Sequence, residues 1–223
     1  MTLEYEAHPL LFLIGAFNPQ IMRNAKWIKN FLFPKSSQKD ISVNMTIPLI
    51  GGDLSSAMTI DGISLHSEVG KVQMTPKEFS TSGYNAIADV VINLAAALPH
   101  TPLVAYGLNC CLTESSSSAV LMKNTAIRKI FDAGLSANNI KIESSCNYKA
   151  SIMNYHVKEE KVQESYKISY FFNFHFQMDE KDKSPMTTLK NAIIEGAIGD
   201  YLGHAREVAE GISSRINTRK KGQ

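Results

Sequence analysis

Between Tyr166 and Met178 the chain alternates with a period of two. Tyr166, Ile168, Tyr170, Phe172, Phe174, Phe176 and Met178 are apolar or aromatic, while Lys167, Ser169, Asn173, His175 and Gln177 are polar, with Phe171 the exception. That alternation predicts a β-strand with one buried face. Leu10 to Phe17 is apolar at odd and even positions alike, as in a strand covered on both sides. Asn18 and Pro19 then read as the N-cap and first residue of a helix carrying Ile21, Ala25, Ile28 and Leu32 on one face, ended by Pro34. Ile41, Val43 and Met45 alternate, Gly51-Gly52-Asp53 turns the chain, and Asp61-Gly62 between two apolar runs predicts a hairpin, followed by a strand over Lys71 to Phe79.

From Ala86, the residues Ile87, Val90, Val91, Leu94 and Leu98 recur at helical spacing up to Pro99. Leu103 to Thr113 follows as a strand and Glu114 to Ser118 as a polar connection. Ser118 then stands as the cap of a helix with Leu121, Ile127, Ile130 and Phe131, closed by Gly134. Ile140 to Val157 and Lys161 to Met178 are expected to form one long hairpin across Lys158-Glu159-Glu160, with a bulge near Ile152-Met153 where the apolar positions change from even to odd. After a solvated loop over Asp179 to Pro185, a single helix from Thr188 to Arg215 is amphipathic through Leu189, Ile193, Ala197, Tyr201, Ala205, Val208 and Ile212. Its glycines, Gly196, Gly199, Gly203 and Gly211, each cost up to about 1 kcal/mol relative to Ala, so close packing against the sheet or another helix is expected there.

The order strand, helix, strands, helix occurs twice. His8-Pro9-Leu10 and Thr101-Pro102-Leu103 open the two halves, and Met22-Arg23-Asn24 is matched by Met122-Lys123-Asn124. The expected fold is therefore α+β, a curved, mainly antiparallel sheet with helices packed on one face, built as one domain from pseudo-repeated halves 1–100 and 101–217 with a long C-terminal helix and a basic tail, 218–223. The Gly-Leu-Asn segment at Gly107 to Asn109, the strand at Lys71 to Phe79 and the long helix after an aromatic strand resemble a family of uncharacterised bacterial proteins of similar length. That family's strand reads Gly-Leu, a basic residue, an aromatic and Asn, where this chain has Asn109-Cys110-Cys111. The resemblance implies a fold and a bacterial or phage setting, and no catalytic residues.

Composition narrows the classes. With 223 residues, 44% of them apolar and 20% charged, the chain is in the range of an ordinary globular protein with a substantial core. Of its formal charge of +2, Arg215, Arg219, Lys220 and Lys221 supply +4, leaving about −2 for the rest, which opposes a broad electrostatic footprint for nucleic acid. The three cysteines, Cys110, Cys111 and Cys146, have neither disulfide-framework nor zinc spacing, so a reducing, cytoplasmic setting is expected. The Pro9 to Phe17 run follows Glu4 and Glu6 rather than basic residues and is read as a strand instead of a signal sequence, and no run reaches the roughly 18 apolar residues of a membrane span.

The candidate chemistry is sparse. Cys146 and His175 are the parts of a nucleophilic dyad, but parity places Cys146 inward with Phe172 and Phe174 and His175 outward. Cys110 and Cys111 point to opposite faces of one strand, and the six histidines lack metal-ligand spacing, so neither metal nor cofactor is expected. Ser36-Ser37-Gln38-Lys39 matches a Ser-x-x-Lys pattern only in a polar loop, and Gly51-Gly52-Asp53 lacks the lysine and helix of a phosphate cradle. The polar sheet face remains, with Lys167, Phe171, Asn173, His175 and Lys149 as its contact candidates. The leading expectation is a non-enzymatic cytosolic binding or assembly protein that forms a homodimer through the glycine-bearing helix or a free sheet edge. Single-stranded nucleic-acid binding on the polar face and an enzyme with a pocket between helices and sheet are the alternatives.

Overall fold

The computed structural model describes residues 2–37, 41, 43–46, 55–121 and 139–218. In chain order its first elements are β1 (Glu4–Tyr5), β2 (Leu11–Gly15), α1 (Ala25–Leu32), β3 (Val43–Thr46), β4 (Ser55–Ile60), β5 (Ile63–Glu68), β6 (Lys71–Pro76) and α2 (Thr81–Ala97). They are followed by β7 (Leu103–Ser116), β8 (Asn139–Tyr148), β9 (Ser151–Val162), β10 (Ser165–Gln177), α3 (Pro185–Ile194) and α4 (Ala197–Thr218). The Gly51-Gly52-Asp53 turn, the triplet Met122-Lys123-Asn124, the helix expected through Ile127, Ile130 and Phe131, its cap Gly134, Gln38-Lys39 and the Arg219-Lys220-Lys221 tail lie outside the described residues.

Contacts divide the chain into two compact units. One comprises Met1–Glu6, Cys110–Asn173 and Leu202–Gln223; the other comprises Ala7–Asn109 and Phe174–Tyr201. Strands β7 and β10 and helix α4 each contribute residues to both. The architecture is α+β with a mainly antiparallel sheet and, among the described residues, four helices.

In the second unit the strands run in the order β3-β4-β5-β6-β2-β7. The β4–β5 hairpin closes at Asp61-Gly62, as its sequence predicts, with both residues at positive φ (47° and 79°). Met58, Ile60, Ile63, Leu65, Val72 and Met74 fill one sheet face, and α2 lies against β5 and β6. Helix α1 begins at Ala25 rather than Pro19. The Asn18 side chain accepts the Gln20 N–H at 2.9 Å and holds a turn, and the true N-cap is Asn24, whose Oδ1 accepts the Trp27 N–H at 3.0 Å. Helix α2 starts five residues before the expected Ala86, because Ser80 caps it through the Gly83 N–H.

In the first unit β7, β10, β9 and β8 lie side by side in that order, and β1 pairs with β7. The alternation that predicted β10 is seen in most of its burial: Ile168, Tyr170, Phe172, Phe174 and Phe176 are buried and Lys167, Phe171, Asn173 and His175 half-buried, while Ser169, at 3% exposed, departs from it. The expected long hairpin is a three-stranded meander. Its first turn is Lys149-Ala150, with Lys149 at φ 50°, and its second is Gln163-Glu164, with Gln163 at φ 55°. The parity change needs no bulge at Ile152-Met153, since a turn separates the two runs, and Lys158-Glu159-Glu160 is strand. Strand β7 likewise continues through Glu114 to Ser116.

The expected helix from Thr188 is two helices. Pro185 sits in the first turn of α3, and Gly196, at φ 89°, breaks the run before α4. Close packing on the glycines is absent among the described residues: a Cβ at Gly196, Gly199, Gly203 or Gly211 would meet none of their atoms within 4 Å. The apolar side of α4 instead buries Ile198, Tyr201, Leu202, Ala205 and Ala209.

In the second unit Phe174 is completely buried and meets Tyr201 edge-on, with centroids 5.0 Å apart. Phe174→Ala is expected to lower the unfolding free energy by about 3–5 kcal/mol. His175→Ala, one residue on and on the opposite face, is expected to cost less than half as much. Urea unfolding of the two variants checks the parity directly.

Candidate interaction surface

Ten residues make up β8, and its register against β9 is unbroken from Asn139↔Glu160 to Tyr148↔Ser151. A two-residue turn closes on a pair that exchanges both backbone hydrogen bonds, and bonded and non-bonded pairs alternate from there. The even residues of β8 therefore bond to β9, while the N–H and C=O groups of Lys141, Glu143, Ser145 and Asn147 point away from it. β8 is last in the strand order, with β9 as its neighbour among the described strands. Every side chain from Lys141 to Asn147 is exposed.

Cys146 is among them and is exposed rather than packed in the core. Its face was read correctly, for it stands opposite the buried Met153. Its burial was not, because the terminal strand of a sheet has a neighbour on one side only. Cys146 and His175 fall in different units. Ile142 shares the face of Cys146, opposite Val157, and is 37% exposed.

The other face of this hairpin carries charge in matched pairs. Lys141 bonds Glu143 and holds its carboxyl below the usual carboxylate range; Lys158 does the same to Glu160. Lys167 lies 2.9 Å from Glu6, and that hydrogen bond raises its pKa. Phe171, the anomaly of β10, stacks on His156 with centroids 4.5 Å apart. Of the five contact candidates, Lys167, Phe171 and Asn173 lie on β10 within the first unit, whereas His175 belongs to the second. Lys149 is a turn residue with its ammonium 5.6 Å from the centre of the Tyr148 ring, so it is not part of a strand face as expected. Tyr148 also lies flat on His204 of α4, at 3.7 Å.

Two buried carboxylates escaped the sequence reading. Glu114 is 3% exposed and accepts hydrogen bonds from the Tyr170 hydroxyl at 2.6 Å and the Ser213 hydroxyl at 2.9 Å, which ties β7 to β10 and α4. Burial first, and the bond to Glu114 second, raise the Tyr170 phenol well above its ordinary value. Glu159 is fully buried, and its Oε2 accepts the N–H groups of Val120 and Leu121 at 2.6 and 2.9 Å. The helix that Ser118 was expected to cap lies outside the described residues. Both acids thus hold the chain's own donors. Lys158-Glu159-Glu160 looked like a turn because the real turn, Lys149-Ala150, has no Gly, Pro, Asn or Asp. The one available signal was the odd spacing of Met153, Val157 and Glu159.

In the second unit a concavity of about 440 Å³ lies on the polar face of β4 to β6, away from α2, where Asn44, Thr59, Ser64, His66, Gln73 and Thr75 line it. Thr59 and Ser64 bond each other at 3.0 Å. Among the described residues no three His, Cys, Asp or Glu side chains are placed to hold a metal ion, and no helix is long and apolar enough to cross a membrane. No family model, curated protein or solved structure matches the chain.

Two experiments probe this region. Glu159→Ala leaves two buried N–H groups without their acceptor, and at about 1–3 kcal/mol for each such group it is expected to cost about 2–6 kcal/mol in urea unfolding. Burial pushes the thiols of Cys110 and Cys111 up to about 12, with Glu6 adding to the effect at Cys111. Both are therefore protonated and unreactive at pH 8. A chromogenic disulfide reagent is expected to titrate Cys146 in the native protein and all three thiols after unfolding.

Proposed function

We propose that this protein is a non-enzymatic binding or assembly protein that associates with itself by strand addition at β8, in the cytosol of a bacterial or phage system. The observation that carries the reading is a ten-residue strand at the edge of the described sheet, with exposed side chains from Lys141 to Asn147 and a row of outward N–H and C=O groups. Such an edge is a template for another strand unless it is blunted. β8 has no proline and no described bulge, and its lone lysine is paired with Glu143. The matched lysines of the adjoining face argue against nucleic acid, which needs cations free to meet phosphates. The buried carboxylates, each engaged by chain donors, argue against acid–base chemistry in the first unit.

Sedimentation velocity over a wide concentration range tests the reading. The wild-type chain is expected to shift from monomer to dimer as concentration rises. Ser145→Pro removes an outward N–H without touching the bonds to β9, and it is expected to keep the native circular dichroism spectrum while staying monomeric. A wild-type monomer at the highest concentration would dispose of the proposal.

A further inference from the structure

We infer that the strand added to β8 is the β8 of a second copy, antiparallel, with the twofold axis passing through Ile142. This rests on the self-association reading above and specifies which residues meet. Only odd-numbered residues of β8 present backbone bonding groups to the edge away from β9, which has no partner among the described strands. Odd residues must therefore stand opposite odd residues, which excludes half of all registers before any side chain is considered.

Charge selects among the remainder. With Ile142 on the axis, Lys141 of each copy stands opposite Glu143 of the other, and Asn139 opposite Ser145. Sliding by one allowed step in one direction sets Lys141 against Lys141; the other direction sets Glu143 against Glu143. A step beyond the latter puts Lys141 against Asn147 and Glu143 against Ser145, which removes the repulsion and gains no attraction. Opposite charges directly across an antiparallel pair stabilise it, and like charges destabilise it. In the free protein Lys141 and Glu143 are already bonded along the strand. Two copies close these four charges into a ring of alternating sign.

The opposite face agrees independently. In this register Ile142 meets Ile142 of the second copy at a non-hydrogen-bonded position, where side chains approach most closely. That contact takes from water a large apolar side chain that the monomer leaves 37% exposed. The arrangement is isologous, so it closes as a dimer and does not propagate into a fibre.

Charge exchange distinguishes this register from any other mode of association. Lys141→Glu and Glu143→Lys are both at exposed positions and are expected to fold normally. Each is expected to weaken homodimerisation by roughly tenfold or more, since each turns both attractive pairs into repulsive ones. Mixing the two single variants is expected to restore association as a heterodimer, and the doubly exchanged chain is expected to dimerise like the wild type. In a Cys146→Ser background, Ile142→Cys is expected to form a disulfide-linked dimer on treatment with diamide. Single variants that dimerise like the wild type, or a mixture that stays monomeric, would overturn the inference while leaving self-association standing. A wild-type chain that never associates would overturn both.

Discussion

Strand β10 has a strand on each side, and its alternation over thirteen residues constrains both neighbours. Each even residue that enters the core obliges the residues beside it on β7 and β9 to take the same face. A slip of one residue would expose Phe172, Phe174 and Phe176 together. Tyr155 on β9 and Tyr106 on β7 stack on Phe172 and Phe176 respectively, each within the unit it belongs to. The register of the meander follows from this single strand.

The buried acids are set within that register. A carboxylate excluded from water is tolerated when donors converge on it, and otherwise it disrupts the site that holds it. Tyr170 is an even residue of β10, so its hydroxyl reaches the core side, where it meets Glu114. Glu159 enters the same side from β9 and meets backbone N–H groups instead. Hydroxyls engage the Glu114 carboxylate and backbone amides engage that of Glu159.

What was legible in the sequence was periodicity, together with turns that use turn residues. The face of β10, the Asp61-Gly62 hairpin and the α+β class all follow from those signals. The end of α1 near Pro34 was readable, but its start was not, since Asn18 and Asn24 are both capping residues and only the hydrogen bond to Trp27 identifies which one acts. Lys149-Ala150 carries none of the residues that mark a turn, so its neighbours were joined into one strand and a charged triplet inside β9 was taken for the bend. That displacement hid Glu159 and put Lys149 on a face it does not occupy. Exposure of Cys146 was beyond periodicity altogether, because alternation tells which way a side chain points and not whether anything stands over it.

The length of the turn at Lys149-Ala150 has a consequence for how such a chain changes over generations. The count of residues between β8 and β9 determines which amides face inward and which face the edge. One inserted residue that shifted the pairing would interchange the inward and outward sets along β8 and, with them, the faces of its side chains, turning Lys141 and Glu143 to the side of Met153 and Val157. The groups this edge presents can therefore be rewritten by a short insertion at an exposed loop, at the cost of the contacts that Tyr148 and the other even side chains of β8 make.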